Sequence, residues 1–274
     1  MRLLTFATND GRPRPGVVAG TTVYDLSSQG FSDLLEVVAS GQLPEAKGEA
    51  FEMERVQLLA PISNPPRVFG IGLNYRDHAL EAGMQIPTTP VVFFKLASSI
   101  VGPDAPVVLP RNAHQVDYEA ELAVVIGRGG YRIAAADAMQ HVFGYTILND
   151  VSARDIQLAT SQWSMGKSFP TFCPMGPVLV TADEIPDPHR LDISLVIDSE
   201  LLQHSNTREL IFPIPDLIEY LSSITPLMPG DVISTGTPPG VGMGRKPQRW
   251  LQPNETMTVE IARIGALSNP VIAE

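Results

Sequence analysis

Cysteine is almost missing from this sequence. Cys173 stands alone among 274 residues, so no intramolecular disulfide can form and the chain reads as one suited to a reducing compartment. Positive charge is scarce too: 19 Lys and Arg face 30 Asp and Glu, a formal charge of −11, which argues against nucleic acid or an anionic membrane surface as the main partner. No stretch approaches the roughly 18 apolar residues that span a bilayer, and the opening residues lack the apolar core and small-residue cleavage site of a secretory signal. The expected location is cytoplasmic. Other motifs are absent or incomplete. There is no Gly-x-Ser-x-Gly nucleophile elbow, Tyr75 stands where a dinucleotide loop opened by Gly70 and Gly72 needs a third glycine, and Ser161 stands where a phosphate loop ending in Gly166-Lys167-Ser168 needs one. Covalent hydrolase and nucleotide chemistry are therefore unsupported.

What is present is an ordered, turn-rich chain. Apolar residues make up 44% and charged residues 18%, with 25 Pro and 22 Gly, a balance that points to a globular, mainly β architecture with α+β elements. Residues 2–7 and 16–24 read as the strands of a meander around Asn9-Asp10-Gly11. Residues 32–39 have helical spacing, with Ser32 as candidate N-cap and Gly41 near the stop. Pro61, Pro65 and Pro66 mark a linker, so the expected division is a small α+β domain over 1–60 and a larger unit over 61–274. Within the larger unit, residues 67–72, 89–95, 117–127, 142–150, 178–181, 191–197, 200–203 and 255–264 read as strands. Residues 103–110 read as a turn-rich connection and 214–224 as a helix.

The stretch Asp117-Tyr-Glu119-Ala-Glu121-Leu-Ala-Val-Val-Ile carries the chemistry. On a strand, alternate side chains share a face, so Glu119 and Glu121 point the same way with Cα atoms roughly 7 Å apart. Such a pair is also what a solvated strand face looks like. Asp150 ends the apolar run that begins at Val142 and can bring a third carboxylate from a neighbouring strand. Capping of the turn that follows is the competing role for it. An all-oxygen trio favours Mg2+ or Mn2+, admits Ca2+ and disfavours Zn2+. His78 and Glu81, three apart, sit side by side if their segment is helical, the arrangement of an oriented general base or of an ordinary surface pair. Arg154 and Gln157 fall on one helical face with Asp150. Lys167 lies in a loop, and Thr237 offers a hydroxyl from a glycine-proline loop.

Taken together, Gly72-Leu-Asn-Tyr-x-x-His78-x-x-Glu81, Asp117-Tyr-Glu119-x-Glu121, Asn149-Asp150-Val-Ser-x-Arg154-Asp-x-Gln157, Gly166-Lys167-Ser-Phe and Pro229-Gly-Asp-Val-Ile-x-Thr-Gly-Thr237-Pro resemble the fumarylacetoacetate hydrolase family. The resemblance implies a mixed β-sandwich roll assembled as a homodimer. It further implies a divalent cation on Glu119, Glu121 and Asp150, a catalytic His78-Glu81 dyad on a mobile lid with Lys167, and substrate contacts from Arg154, Gln157 and Thr237. The implied activity on a small keto acid is cleavage of a C–C bond in an acylpyruvate or related β-diketo acid through a cation-steadied enolate. The alternatives are a decarboxylase or keto–enol isomerase of an oxaloacetate-like or unsaturated dicarboxylic acid, and a non-catalytic keto-acid binder. Pro170 departs from the family pattern, in which an acid is common at that position.

Overall fold

The structure, a computed structural model, describes residues 1–81 and 85–274, with the side chains of Leu80 and Glu81 outside the described residues. Among those residues a twelve-stranded sheet runs along ten strands from Ala50–Glu52 through Thr22–Asp25, Arg14–Ala19, Arg2–Ala7, Cys173–Thr181, Val142–Asn149, Ala120–Ile126, Val232–Ser234 and Val68–Gly72 to the edge strand Val91–Lys95, with Gln57–Leu59 paired to Arg2–Ala7 and Ile100–Val101 to Cys173–Thr181 off that path. A five-stranded sheet, Glu200–Asn206, Asp192–Ile197, Thr256–Ile261, Gly265–Ala273 and Val107–Leu109 in spatial order, shares one core with it. Leu122, Val124 and Ile147 of the first sheet are buried with Leu195, Val259 and Leu267 of the second. This is the mainly β, mixed sandwich roll that the resemblance implies.

The strand Ala120–Ile126 is buried at every position. A strand covered on both faces reads as a continuous apolar run rather than an alternating one, which is why its β-branched tail was legible and why Glu121 stands out within it. Its neighbour Val142–Asn149 is antiparallel, with Ala120 opposite Asn149, so the strand end that carries Asp150 lies beside Glu119. Arg2–Ala7 pairs with Cys173–Thr181, and the amino-terminal strands thus continue the same sheet. Residue 60 falls between Gln57–Leu59, paired with Arg2–Ala7, and Val68–Gly72, paired with Val232–Ser234.

Four local expectations need correction. The strand expected over 117–127 is interrupted at Tyr118 and Glu119: Val116–Asp117 pairs separately with Ser152–Ala153. Side chains take over the ladder there, with the Glu119 N–H donating to Asn149 Oδ1 at 3.0 Å and the Ala120 N–H to Gln203 Oε1 at 2.9 Å. The first long helix is Leu34–Ser40, and its cap is Asp33, which accepts from the Glu36 N–H at 2.8 Å; Ser32 instead donates its N–H to the Glu36 carboxylate. That reciprocal pair is a capping box shifted by one residue. The connection 103–110 contains the strand Val107–Leu109, and a further strand, Gly265–Ala273, follows Thr256–Ile261.

Gln203 is fully enclosed, and its amide also donates to Thr237 Oγ1 and Pro238 O, both at 2.8 Å. Gln203→Leu keeps the volume but strands the Ala120 N–H, so it should lower unfolding free energy by roughly 2 to 4 kcal/mol. Urea denaturation of the two proteins checks this.

Candidate active site

Three elements converge on one buried cluster. Glu121 projects from the strand Ala120–Ile126, Glu119 from the interruption before it, and Asp150 from the end of Val142–Asn149. The Asp150 N–H donates to the Glu119 carbonyl at 2.9 Å, locking the two chain segments together. One carboxylate oxygen from each of the three acids lies within 4.8 Å of the others, and all three residues are buried. Glu119 is 7% exposed and Glu121 1%, so the solvated-face reading fails.

Like charges this close in a dry interior need cations. Lys167 Nζ donates to Glu119 Oε2 at 2.8 Å and to Asp150 Oδ2 at 2.6 Å. Arg154 Nη2 meets Glu119 Oε1 at 2.6 Å. Burial alone would raise the Glu119 carboxyl, but Lys167 and Arg154 outweigh it and hold the group at about 2. Burial also disfavours the Lys167 ammonium, yet Asp150 and Glu119 raise it above the ordinary lysine range. Glu121 makes no such ion pair among the described residues. Burial, then Asp150 and Glu119, push its carboxyl well up, against the hydroxyl of Ser234, which donates to Oε2 at 2.5 Å. The Gly236 N–H donates to the same oxygen at 2.9 Å. Three hard oxygen donors, one of them held with its charge under-compensated, fit a divalent cation of the Mg2+ or Mn2+ kind.

Around the cluster the sequence-derived residues gather. A cavity of about 130 Å3 is lined by His78, Glu119, Glu121, Arg154, Gln157, Lys167 and Thr237, with Ile71, Phe93, Trp163 and Met243 among its apolar walls. Asp150 joins them through Lys167. Arg154 opens the short helix Arg154–Gln157 and donates to Gln157 Oε1 at 3.0 Å and to both Asp117 and Glu119. No side chain caps that helix, so the capping role for Asp150 is not the one it plays. His78 lies on the helix Arg76–Glu81. The Glu81 side chain, its expected partner, lies outside the described residues. Thr237 Oγ1 accepts from Gln203 Nε2, which leaves its own O–H to donate elsewhere.

Sequence reasoning gave no role to Lys95, Gln203 or Ser234. Lys95, itself buried, ends the apolar strand Val91–Lys95 and donates to Asp150 Oδ1 at 2.5 Å. A lone cation closing an apolar run was its signal, since lysine is rarely enclosed unless paired. Gln203 and Ser234 carry no comparable mark.

The model of the fumarylacetoacetate (FAA) hydrolase C-terminal region matches residues 67–272, most of the chain. The protein belongs to the fumarylacetoacetate hydrolase family. Oxaloacetate tautomerase fahd2, mitochondrial, of Xenopus laevis is 44% identical over 289 aligned positions, covering 99% of this chain and 90% of that protein. The structure of fumarylacetoacetate hydrolase from the psychrophile Exiguobacterium antarcticum is 38% identical, with TM-score 0.90 and full coverage of both chains. That of 5-carboxymethyl-2-hydroxymuconate delta-isomerase from Mycobacterium smegmatis is 36% identical, with TM-score 0.83, covering 100% of this chain and 99% of the other. Family members with these names are enzymes that tautomerise, isomerise or hydrolyse, and an enzymatic role for this one is supported.

The crowding at Glu121 has a measurable sign. A carboxyl whose folded pKa is raised favours the fold below its unfolded value and loses that contribution as pH rises through the folded one. Glu121→Gln should therefore raise the melting temperature of chelator-treated protein at pH 7 by a few degrees, while abolishing the further rise that Mg2+ or Mn2+ gives the parent. A thermal scan with and without chelator reads both.

Proposed function

We propose that this chain is a divalent-cation-dependent keto–enol tautomerase of a 2-oxo acid with an acidic C3 hydrogen, oxaloacetate being the first to test. The observation that carries the reading is the trio Glu119, Glu121 and Asp150, two of whose members, Glu119 and Glu121, line a cavity with Lys167, His78 and Thr237. A cation held by the trio would supply positive charge opposite the carboxylate and 2-oxo oxygens of such an acid. The residues of the chain do the rest. Lys167, its ammonium kept protonated by two carboxylates, faces the oxygen on which negative charge grows as the C3 proton leaves. In the enolising direction His78 takes the C3 proton while the 2-oxo oxygen gains one from solvent, and in the ketonising direction it gives the proton to C3 while the enol O–H loses its own to solvent, a step worth about 10²- to 10⁴-fold. Thr237 offers its free O–H to the substrate carboxylate, and Arg154 with Gln157 fixes the opposite side. The name of the Xenopus laevis relative supports this choice over others in the family.

A hydrolase is the second reading, favoured by one observation: His78 lines the same cavity as Glu119 and Glu121, where a base could activate water. In that reading Glu81 orients His78, and a C–C bond of a β-diketo acid breaks. Tautomerisation asks less of the site, because no water need be positioned.

The test follows loss of enol absorbance from oxaloacetate, with Mg2+ or Mn2+ and with chelator. Cation-dependent acceleration is expected, with Lys167→Met losing about 10²- to 10⁴-fold in kcat. Acceleration that survives chelator would sink the proposal. Entry of 18O from solvent water into cleavage products of an acylpyruvate would replace it with the hydrolase, and CO2 release from oxaloacetate with a decarboxylase.

A further inference from the structure

Lys95 is the one lysine besides Lys167 whose ammonium reaches the acid cluster among the described residues, and its geometry differs in kind. Its side chain has no exposure, and neither does that of Asp150. Nζ donates to Asp150 Oδ1 at 2.5 Å, to Val151 O at 3.2 Å and to the backbone carbonyl of Lys167. An ammonium has three N–H donors, and all three are taken. Lys95 therefore has nothing left to offer a substrate. What it does is mechanical: it ties the end of the edge strand Val91–Lys95 to the turn at Asp150-Val151 and to the loop that carries Lys167. With Oδ1 committed to Lys95, Oδ2 is the oxygen turned toward Glu119, the two being bridged by the Lys167 ammonium.

We infer that Lys95 is a positioning residue of this site: it holds Asp150 in its ligand orientation and so sets the affinity of the trio for a divalent cation. The inference rests on the cation reading of the trio. Two physical effects of removing Lys95 have opposite signs, which makes the idea testable. By charge alone, deleting a cation in contact with Asp150 makes the cluster more negative and should tighten binding of a divalent ion. By position, a freed Asp150 no longer presents Oδ2, and partners behind metal ligands typically account for about 10- to 100-fold in affinity. In a buried site whose ligands come from separate segments, orientation is the larger effect.

The experiment titrates the full-length protein with Mn2+ and counts free ion by electron paramagnetic resonance, which needs no turnover. Lys95→Met, which keeps the stem and removes the charge, should weaken Mn2+ binding about 10- to 100-fold. Lys95→Arg keeps the charge but presents donors in a flat fork that cannot meet three acceptors converging on one nitrogen; it should weaken binding in the same direction. In both, the Mn2+ concentration giving half-maximal turnover rises while kcat at saturating Mn2+ changes far less. Affinity equal to or tighter than the parent's in either folded variant overturns the inference, and so does a fall in kcat with Mn2+ affinity intact. If Lys95→Met does not fold, Lys95→Arg decides alone. A parent protein that holds no Mn2+ overturns the cation reading itself, an outcome distinct from a parent that binds and variants that bind equally.

Discussion

Carboxylates enclosed together in the interior are the constraint from which the rest of this structure follows. Burying one ionised acid costs several kcal/mol unless it is paired, and here Asp117, Glu119, Glu121 and Asp150 are all enclosed near one another. The fold answers with Lys95, Lys167 and Arg154, each almost wholly enclosed and each shared or fully spent on acceptors. Backbone N–H groups do the remainder. Gly242 and Met243 donate to Asp117 at 2.7 and 3.0 Å, and Gly236 donates to Glu121. The glycine-proline loop after Val232–Ser234 is thus placed by the charges it serves, and Met243 reaches the cavity wall because Asp117 holds its amide.

Compensation is uneven, and the unevenness is chemically useful. Glu119 sits between two cations that hold its carboxyl at about 2, whereas Glu121, among the described residues, is met by a hydroxyl and an amide at one oxygen. A site of this kind, with one acid less compensated than its neighbours, suits a cation. The same field holds Lys167 charged, so a group able to face a developing oxyanion is ready before substrate arrives.

Much of this was legible in the chain. The apolar run around Glu121 reveals a buried strand because both faces are covered, and Glu119, Glu121, Asp150, Arg154, Gln157 and Lys167 stand close in sequence within ordered motifs. The interruption at Tyr118 and Glu119 was not legible: it is defined by the side chains of Asn149 and Gln203, supplied from elsewhere, which take the N–H groups of Glu119 and Ala120. Gly265–Ala273 was hidden by Gly265 and Pro270, residues that normally punctuate strands; it survives as a neighbour of Thr256–Ile261 and Val107–Leu109. The helix cap was misplaced by one because Ser32 and Asp33 are both good caps, and only geometry chooses between them.

The interruption before Ala120 has one more implication. The Ala120 amide is met by a residue 83 positions later, and Glu121 by residues 113 and 115 positions later. A chain emerging from the ribosome has therefore made Glu119 and Glu121 long before it owns Gln203, Ser234 and Gly236, whereas Lys95 precedes the Asp150 it holds. The surroundings of Glu121 are complete only once the chain has been made past Gly236, so order at the centre reports completion of the fold rather than its beginning.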